Sequence, residues 1–252
     1  ALLRAFDAAL YVGQRSRAYY EHYGFPAHRL FFSPHCVDTA AFAAGATPAA
    51  RRALRAEVDA SDDSLLLLFA GKLLPFKRPL DLIDIAARLR SRGSDARAII
   101  AGSGELQAAL AERAAAAAVP LSLLGFRNQS AMPAAYAAAD LLVLPSDGRE
   151  TWGLVCNEAL ACGRPILVSN AVGCAPDLAD GVVGRAFATG DADGAADAAA
   201  SLLSDPPSPA DLRARSDAYG LAAAADGVVE AMRVVTAARL ASKRLADSPR
   251  AR

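Results

Sequence analysis

Charge of one sign is missing from this chain: 27 lysines and arginines balance 27 aspartates and glutamates over 252 residues. The electrostatic footprint of a general nucleic-acid binder is therefore absent, and no nucleic-acid partner is expected. Histidine is scarce, and His22, His28 and His35 stand at no metal-ligating spacing, so no metal site is expected. The four cysteines, Cys36, Cys156, Cys162 and Cys174, have neither the paired spacing of a zinc site nor the density of a secreted disulfide scaffold. They point to a reducing cytosol. Ala1 to Val12 is interrupted by Arg4 and Asp7, and no run approaches the roughly 18 apolar residues that cross a bilayer. An initiating Met is lacking too, and the opening residues look helical, as expected of a chain whose N-terminal portion has been cut away.

Two phosphate-binding fingerprints are incomplete. The loop Gly71-Lys72-Leu73-Leu74-Pro75-Phe76-Lys77-Arg78-Pro79 lacks the glycine and Lys-Ser/Thr arrangement of a Walker loop. In Ala101-Gly102-Ser103-Gly104-Glu105 the third glycine of a dinucleotide site is replaced by Gln107, which excludes a nicotinamide reading. A tight strand-to-helix turn accounts for Gly102 and Gly104.

What the chain has in quantity is hydrophobic sequence, 54%, enough for a sizeable core. From Leu65 apolar runs alternate with helical patterns: Leu65 to Ala70, Pro79 to Arg92, Ala96 to Ala101, Glu105 to Ala118, Leu121 to Leu124, Ala131 to Ala138. Leu141 to Leu144, a helix near Gly153 and Ile166 to Val168 continue the series. Strands that alternate with helices need crossovers, so the expected fold is α/β, a Rossmann-like parallel sheet with helices on both faces. Its ligands would sit at the carboxyl ends of the strands.

Ahead of this series, Phe6 to Val12 and Arg29 to Ser33 read as strands and Gln14 to Tyr23 as a helix, too little to enclose a core. His35 to Pro48 reads as a linker, with a boundary near residue 45. Beyond Val182 to Phe187 the sequence turns helical, over Asp191 to Leu203, Ala210 to Tyr219 and Leu221 to Leu240. Ser242 to Arg252 reads as a polar, frayed tail.

The stretch Leu141 to Asn170, LLVLPSDGRETWGLVCNEALACGRPILVSN, carries the chemistry. If its helix begins near Gly153, Glu158 lies about 8 Å along the axis while Glu150 is still in the loop. Free amides of the first turn lie between the two acids and favour a phosphate. A carboxylate beside a diphosphate is opposed by about 4 kcal/mol at about 4 Å and a dielectric near 20, so the glutamates should hold hydroxyls. Lys72 and Lys77 should hold the phosphates. Taken alone, Glu158 fits a solvated helix face and the loop an ordinary basic loop. Glu150 and Glu158 also fit the acid pair of a glycoside hydrolase. A nucleotide-sugar epimerase shares the fold.

FAGKLLPFKRP, YAAADLLVLPS, ETWGLVCNEALACGRPIL and SPHCVDTAAF together resemble the nucleotide-sugar-binding half of a retaining GT-B glycosyltransferase, family four. The resemblance implies a metal-independent enzyme without cofactor. It would transfer a sugar from a nucleotide diphosphate sugar, its donor and partner, to an unknown acceptor hydroxyl. Residues 1–44 would be the end of the N-terminal acceptor-side domain and the interdomain linker, 45–240 the donor domain and 241–252 a tail. The rest of the N-terminal domain would be a missing partner, without which the chain is inactive.

It further implies that Gly71, Lys72 and Lys77, with the amides of Gly153 and Leu154, receive the diphosphate. Glu150 would contact donor-sugar hydroxyls and Glu158 the ribose, with Lys72, Lys77 and Glu150 as the catalytic set. Lys72 stands where the family usually has Arg, and Asp177 where it often has Glu. The expected location is the cytoplasm, including the inner face of a membrane.

Overall fold

The computed structural model describes residues 2–246. A 3-10 turn, Leu2–Ala5, precedes β1 (Ala9–Tyr11), α1 (Gln14–His22) and β2 (Leu30–Phe32). The two strands pair in parallel, Ala9 opposite Leu30, as a small separate sheet.

Next come α2 (Thr39–Gly45) and α3 (Pro48–Glu57). The irregular linker expected over His35 to Pro48 thus contains a helix. Asp38 starts α2 by accepting from the Ala41 amide at 3.0 Å, and Thr47 does the same for Ala50 at the head of α3. Phe42 anchors α2, being 2% exposed within the main core.

The alternating series follows as β3 (Leu65–Ala70), α4 (Leu80–Ser91), β4 (Ala96–Ala101), α5 (Gln107–Ala116), β5 (Leu121–Gly125), α6 (Met132–Ala138) and β6 (Leu141–Leu144). It continues with α7 (Leu154–Ala161), β7 (Ile166–Ser169), α8 (Ala175–Leu178) and β8 (Gly184–Phe187). Then α9 (Ala192–Ser204), α10 (Pro209–Ala218) and α11 (Leu221–Ala246) complete the described chain. The last helix outruns the expected end at Leu240; residues 247–252 of the expected tail lie outside the described residues.

All six main strands are parallel, in the order β5-β4-β3-β6-β7-β8. Their side chains alternate between two cores as a period of two requires. Leu66, Leu68, Leu142 and Leu144 face the layer of α2, α6 and α7; Leu67, Phe69, Leu141 and Val143 face that of α4, α5 and α9. Each such fully buried side chain stabilises the fold by about 1.5–3 kcal/mol relative to exposure. Continuous leucine in β3 is what burial on both faces demands.

The end of α6 is held by two arginines of α3. Arg51 and Arg55 donate to the carbonyls of Ala137 and Ala138 at 2.9 and 2.8 Å and pair with Asp140 at 3.0 and 3.3 Å. Carbonyls that the helix cannot satisfy are thereby used.

Candidate functional site

The order in which successive strands are added to the sheet reverses between the parallel neighbours β3 and β6 at its centre, and at such a switch point the loops leaving the carboxyl ends of the two strands diverge. Those two loops carry Lys72, Lys77 and Glu150.

The loop after β3 is laced to the one after β4. Gly71 donates to the Ala101 carbonyl at 2.9 Å and Leu73 to that of Ser103 at 3.0 Å. At Gly102 a Cβ would stand 1.8 Å from the Gly71 carbonyl oxygen, so only glycine permits this approach. Beyond it a 3-10 turn, Pro75–Lys77, presents Lys77. Arg78 is drawn aside by Asp81 of α4 at 2.7 Å, and Lys72 is exposed.

After β6 the chain turns at Asp147, whose carbonyl accepts from the Glu150 amide at 3.1 Å. The Asp147 amide in turn donates to the Phe76 carbonyl at 2.8 Å, stapling this loop to that of β3. Gly173 donates to the Glu150 carbonyl at 2.9 Å. Held so on both sides, Glu150 forms an ion pair with Lys77, and the Ser146 hydroxyl lies 3.5 Å from the same carboxylate oxygen. The Lys77 and Glu150 side chains are 21% and 13% exposed, so the pair is largely screened from water.

Gly153 begins α7 with φ +103, and a Cβ there would lie 2.6 Å from the Leu144 side chain. Two constraints therefore select glycine. No helical carbonyl precedes Leu154 and Val155, which leaves their amides at the positive end of a helix that starts shortly after Glu150 in the chain.

One and a half turns on, Glu158 accepts from the Tyr136 hydroxyl of α6 at 2.5 Å. Burial pushes the Glu158 carboxyl above its usual range, with the Tyr136 hydrogen bond pulling the other way. Tyr136 is fully buried, and its phenol is driven well up by desolvation and then by the Glu158 charge.

The structure thus brings Lys77, Glu150 and the start of α7 together. Tyr136 and Ser146 were not expected; a lone tyrosine in the alanine-rich YAAAD was the available signal for the first. Trp152 is core, 4% exposed, its indole donating to Asn157 at 2.9 Å while Asn157 donates to the His35 carbonyl at 3.0 Å. Phe126, just past β5, is 80% exposed. A concavity of about 400 Å³ between α2, the end of α7 and α10 is lined by Thr39, Ala43, Leu160 and Ser216, away from these groups.

Fold and site together define a doubly wound α/β protein with cations, a helix start and carboxylates near its topological switch point. The chain belongs to the glycosyl transferases group 1 family, whose model matches residues 50–219. It is similar to the D-inositol 3-phosphate glycosyltransferase of Geodermatophilus obscurus, 32% identical over 180 residues, covering 67% of this chain and 39% of that protein. The GDP-mannose-dependent alpha-(1-6)-phosphatidylinositol dimannoside mannosyltransferase of Mycobacterium tuberculosis is 38% identical over 111 residues, 44% of this chain and 28% of that one.

Among solved structures, Anabaena HepE in complex with UDP superposes with a TM-score of 0.76 at 20% identity, over 90% of this chain and 64% of that one. Sucrose-phosphate synthase from Thermosynechococcus elongatus gives 0.69 at 23%, over 92% and 59%. The expected Rossmann-like fold of GT-B type is therefore the one found. The chain spans about two-fifths of the length of the inositol-phosphate relative. Among the described residues no helix is long and apolar enough to cross a membrane.

Proposed function

We propose that this chain is the donor-binding half of a retaining glycosyltransferase, which moves a sugar from a nucleotide diphosphate sugar to an acceptor hydroxyl. The observation that carries the reading is the meeting of Lys77, Glu150 and the open amides of α7 at the switch point of the sheet. Lys72, Lys77 and the amides of Gly153 and Leu154 receive the diphosphate. Glu150 holds donor-sugar hydroxyls and Glu158 the ribose. Relatives support a nucleotide donor: one is named as GDP-mannose-dependent, and HepE was crystallised with UDP.

In this reading the acceptor attacks from the face the leaving group departs, through an oxocarbenium-like state. Catalysis is then mainly stabilisation of the leaving diphosphate, and one such donor contributes on the order of a hundredfold in rate. No metal is assigned a task. The acceptor, and the domain that binds it, are met outside this chain. A hydrolase acid pair would leave Lys77, which lies on Glu150, without a task.

Calorimetric titration with uridine, guanosine and adenosine diphosphate sugars tests this. One of the three should bind, with affinity lost in Lys77→Ala; no heat with any of them at millimolar concentration refutes the reading.

A further inference from the structure

We infer that Glu150 competes internally for Lys77 and thereby makes the site favour an intact nucleotide diphosphate sugar over the nucleoside diphosphate left after transfer. The inference rests on the donor-binding reading above.

Lys77 is not waiting free for a phosphate. Its ammonium is engaged by the Glu150 carboxylate, and both side chains are more than three-quarters buried, at 21% and 13% exposure. Attraction in such surroundings is stronger and less screened than on an open surface. The backbone on each side is tied down, by Asp147 to Phe76 at 2.8 Å and by Gly173 to Glu150 at 2.9 Å. Exchange of partners is therefore a matter of side-chain rotation alone. Phe76 supports the lysine from below, its ring centroid 5.5 Å from the ammonium, and carries Arg149 at 4.9 Å.

The two ligands differ in what they offer Glu150. A sugar on the diphosphate brings hydroxyl donors, which give the carboxylate partners other than Lys77 and release the lysine to the phosphates. A bare nucleoside diphosphate brings none, and its terminal phosphate carries additional charge. Glu150 then stays on Lys77 and repels the phosphate, so the product is held weakly. A carboxylate that only touched sugar hydroxyls would raise affinity for the donor without lowering affinity for the product; competition for Lys77 does both.

The test is a double-mutant cycle with Glu150→Gln and Lys77→Met, each variant titrated with UDP and UDP-glucose and with GDP and GDP-mannose. Glu150→Gln should bind the nucleoside diphosphate about tenfold tighter, the range of one charge-assisted hydrogen bond, with no gain for the sugar nucleotide. On the Lys77→Met background the same change should raise nucleoside diphosphate affinity by no more than about threefold, the part that direct repulsion contributes.

Unchanged or weaker nucleoside diphosphate binding in Glu150→Gln overturns the inference and leaves donor binding intact. An equal tenfold gain without Lys77 also overturns it, since repulsion alone would then suffice. If no chain in the cycle binds any of the four ligands, the donor-binding reading itself fails and the inference with it.

Discussion

Burial pushes the Glu158 carboxyl above the usual carboxylate range, and the Tyr136 hydroxyl at 2.5 Å offsets only part of that penalty. A buried charge that costs stability is retained where it has a ligand to hold. Glu158→Gln keeps an acceptor for Tyr136 and removes the charge. It should stabilise the chain at pH 7 by about 0.5–2 kcal/mol, read from urea midpoints. It should also weaken nucleoside diphosphate binding roughly tenfold or more, because hydrogen bonds to charged groups contribute about 1.5–3 kcal/mol. A variant unchanged in both respects would deprive Glu158 of the ribose role. Residue types at this scale were legible, since glycine, lysine and glutamate at strand ends name their chemistry. Their contacts were not: Lys77 and Glu150 lie 73 positions apart, and their pairing depends on which strands are neighbours.

At the scale of elements, α1 depends on a residue from far along the chain. The Gln14 amide donates to both Asp177 oxygens at 3.0 and 3.1 Å, and the Tyr219 hydroxyl adds a third bond at 3.1 Å. Gly13 makes room, since a Cβ there would lie 2.5 Å from the Trp152 ring. Asp177→Ala should cost about 1–2 kcal/mol as a lost helix cap, lowering Tm by roughly 2–4 °C per kcal/mol for a chain of this size. Amide exchange should rise in α1 more than in β3; equal rises would mean that Asp177 supports the fold generally. Strands were read closely from sequence because runs such as LLLLFA admit one environment. By contrast α2, TAAFAAG, offers one large apolar residue and no period, although Thr47-Pro48 ahead of α3 is a legible cap and first-turn proline.

For the whole molecule, buried carboxylates set the response to pH. Burial raises Asp81, Glu158 and Asp177 above their ordinary values, in each case as the largest effect. Between the unfolded carboxylate range near 4 and those raised values the native chain binds more protons than the unfolded one. Stability from these groups is thus complete below the unfolded values and is lost as pH rises through the folded ones. Asp95 and Asp147 shift downward, through hydrogen bonds from Ser64 and Arg149 respectively, and matter only as pH falls below the ordinary range. Urea midpoints at constant ionic strength should therefore decline as pH rises above about 4, and Glu158→Gln should flatten part of that slope. Nucleotide affinity should move the other way, because only the deprotonated Glu158 accepts from two ribose hydroxyls: binding tightens as pH rises through its raised value, and in Glu158→Gln that rise disappears. If wild type and variant show the same pH profile of binding, the titrating group is another one and Glu158 does not face the nucleotide.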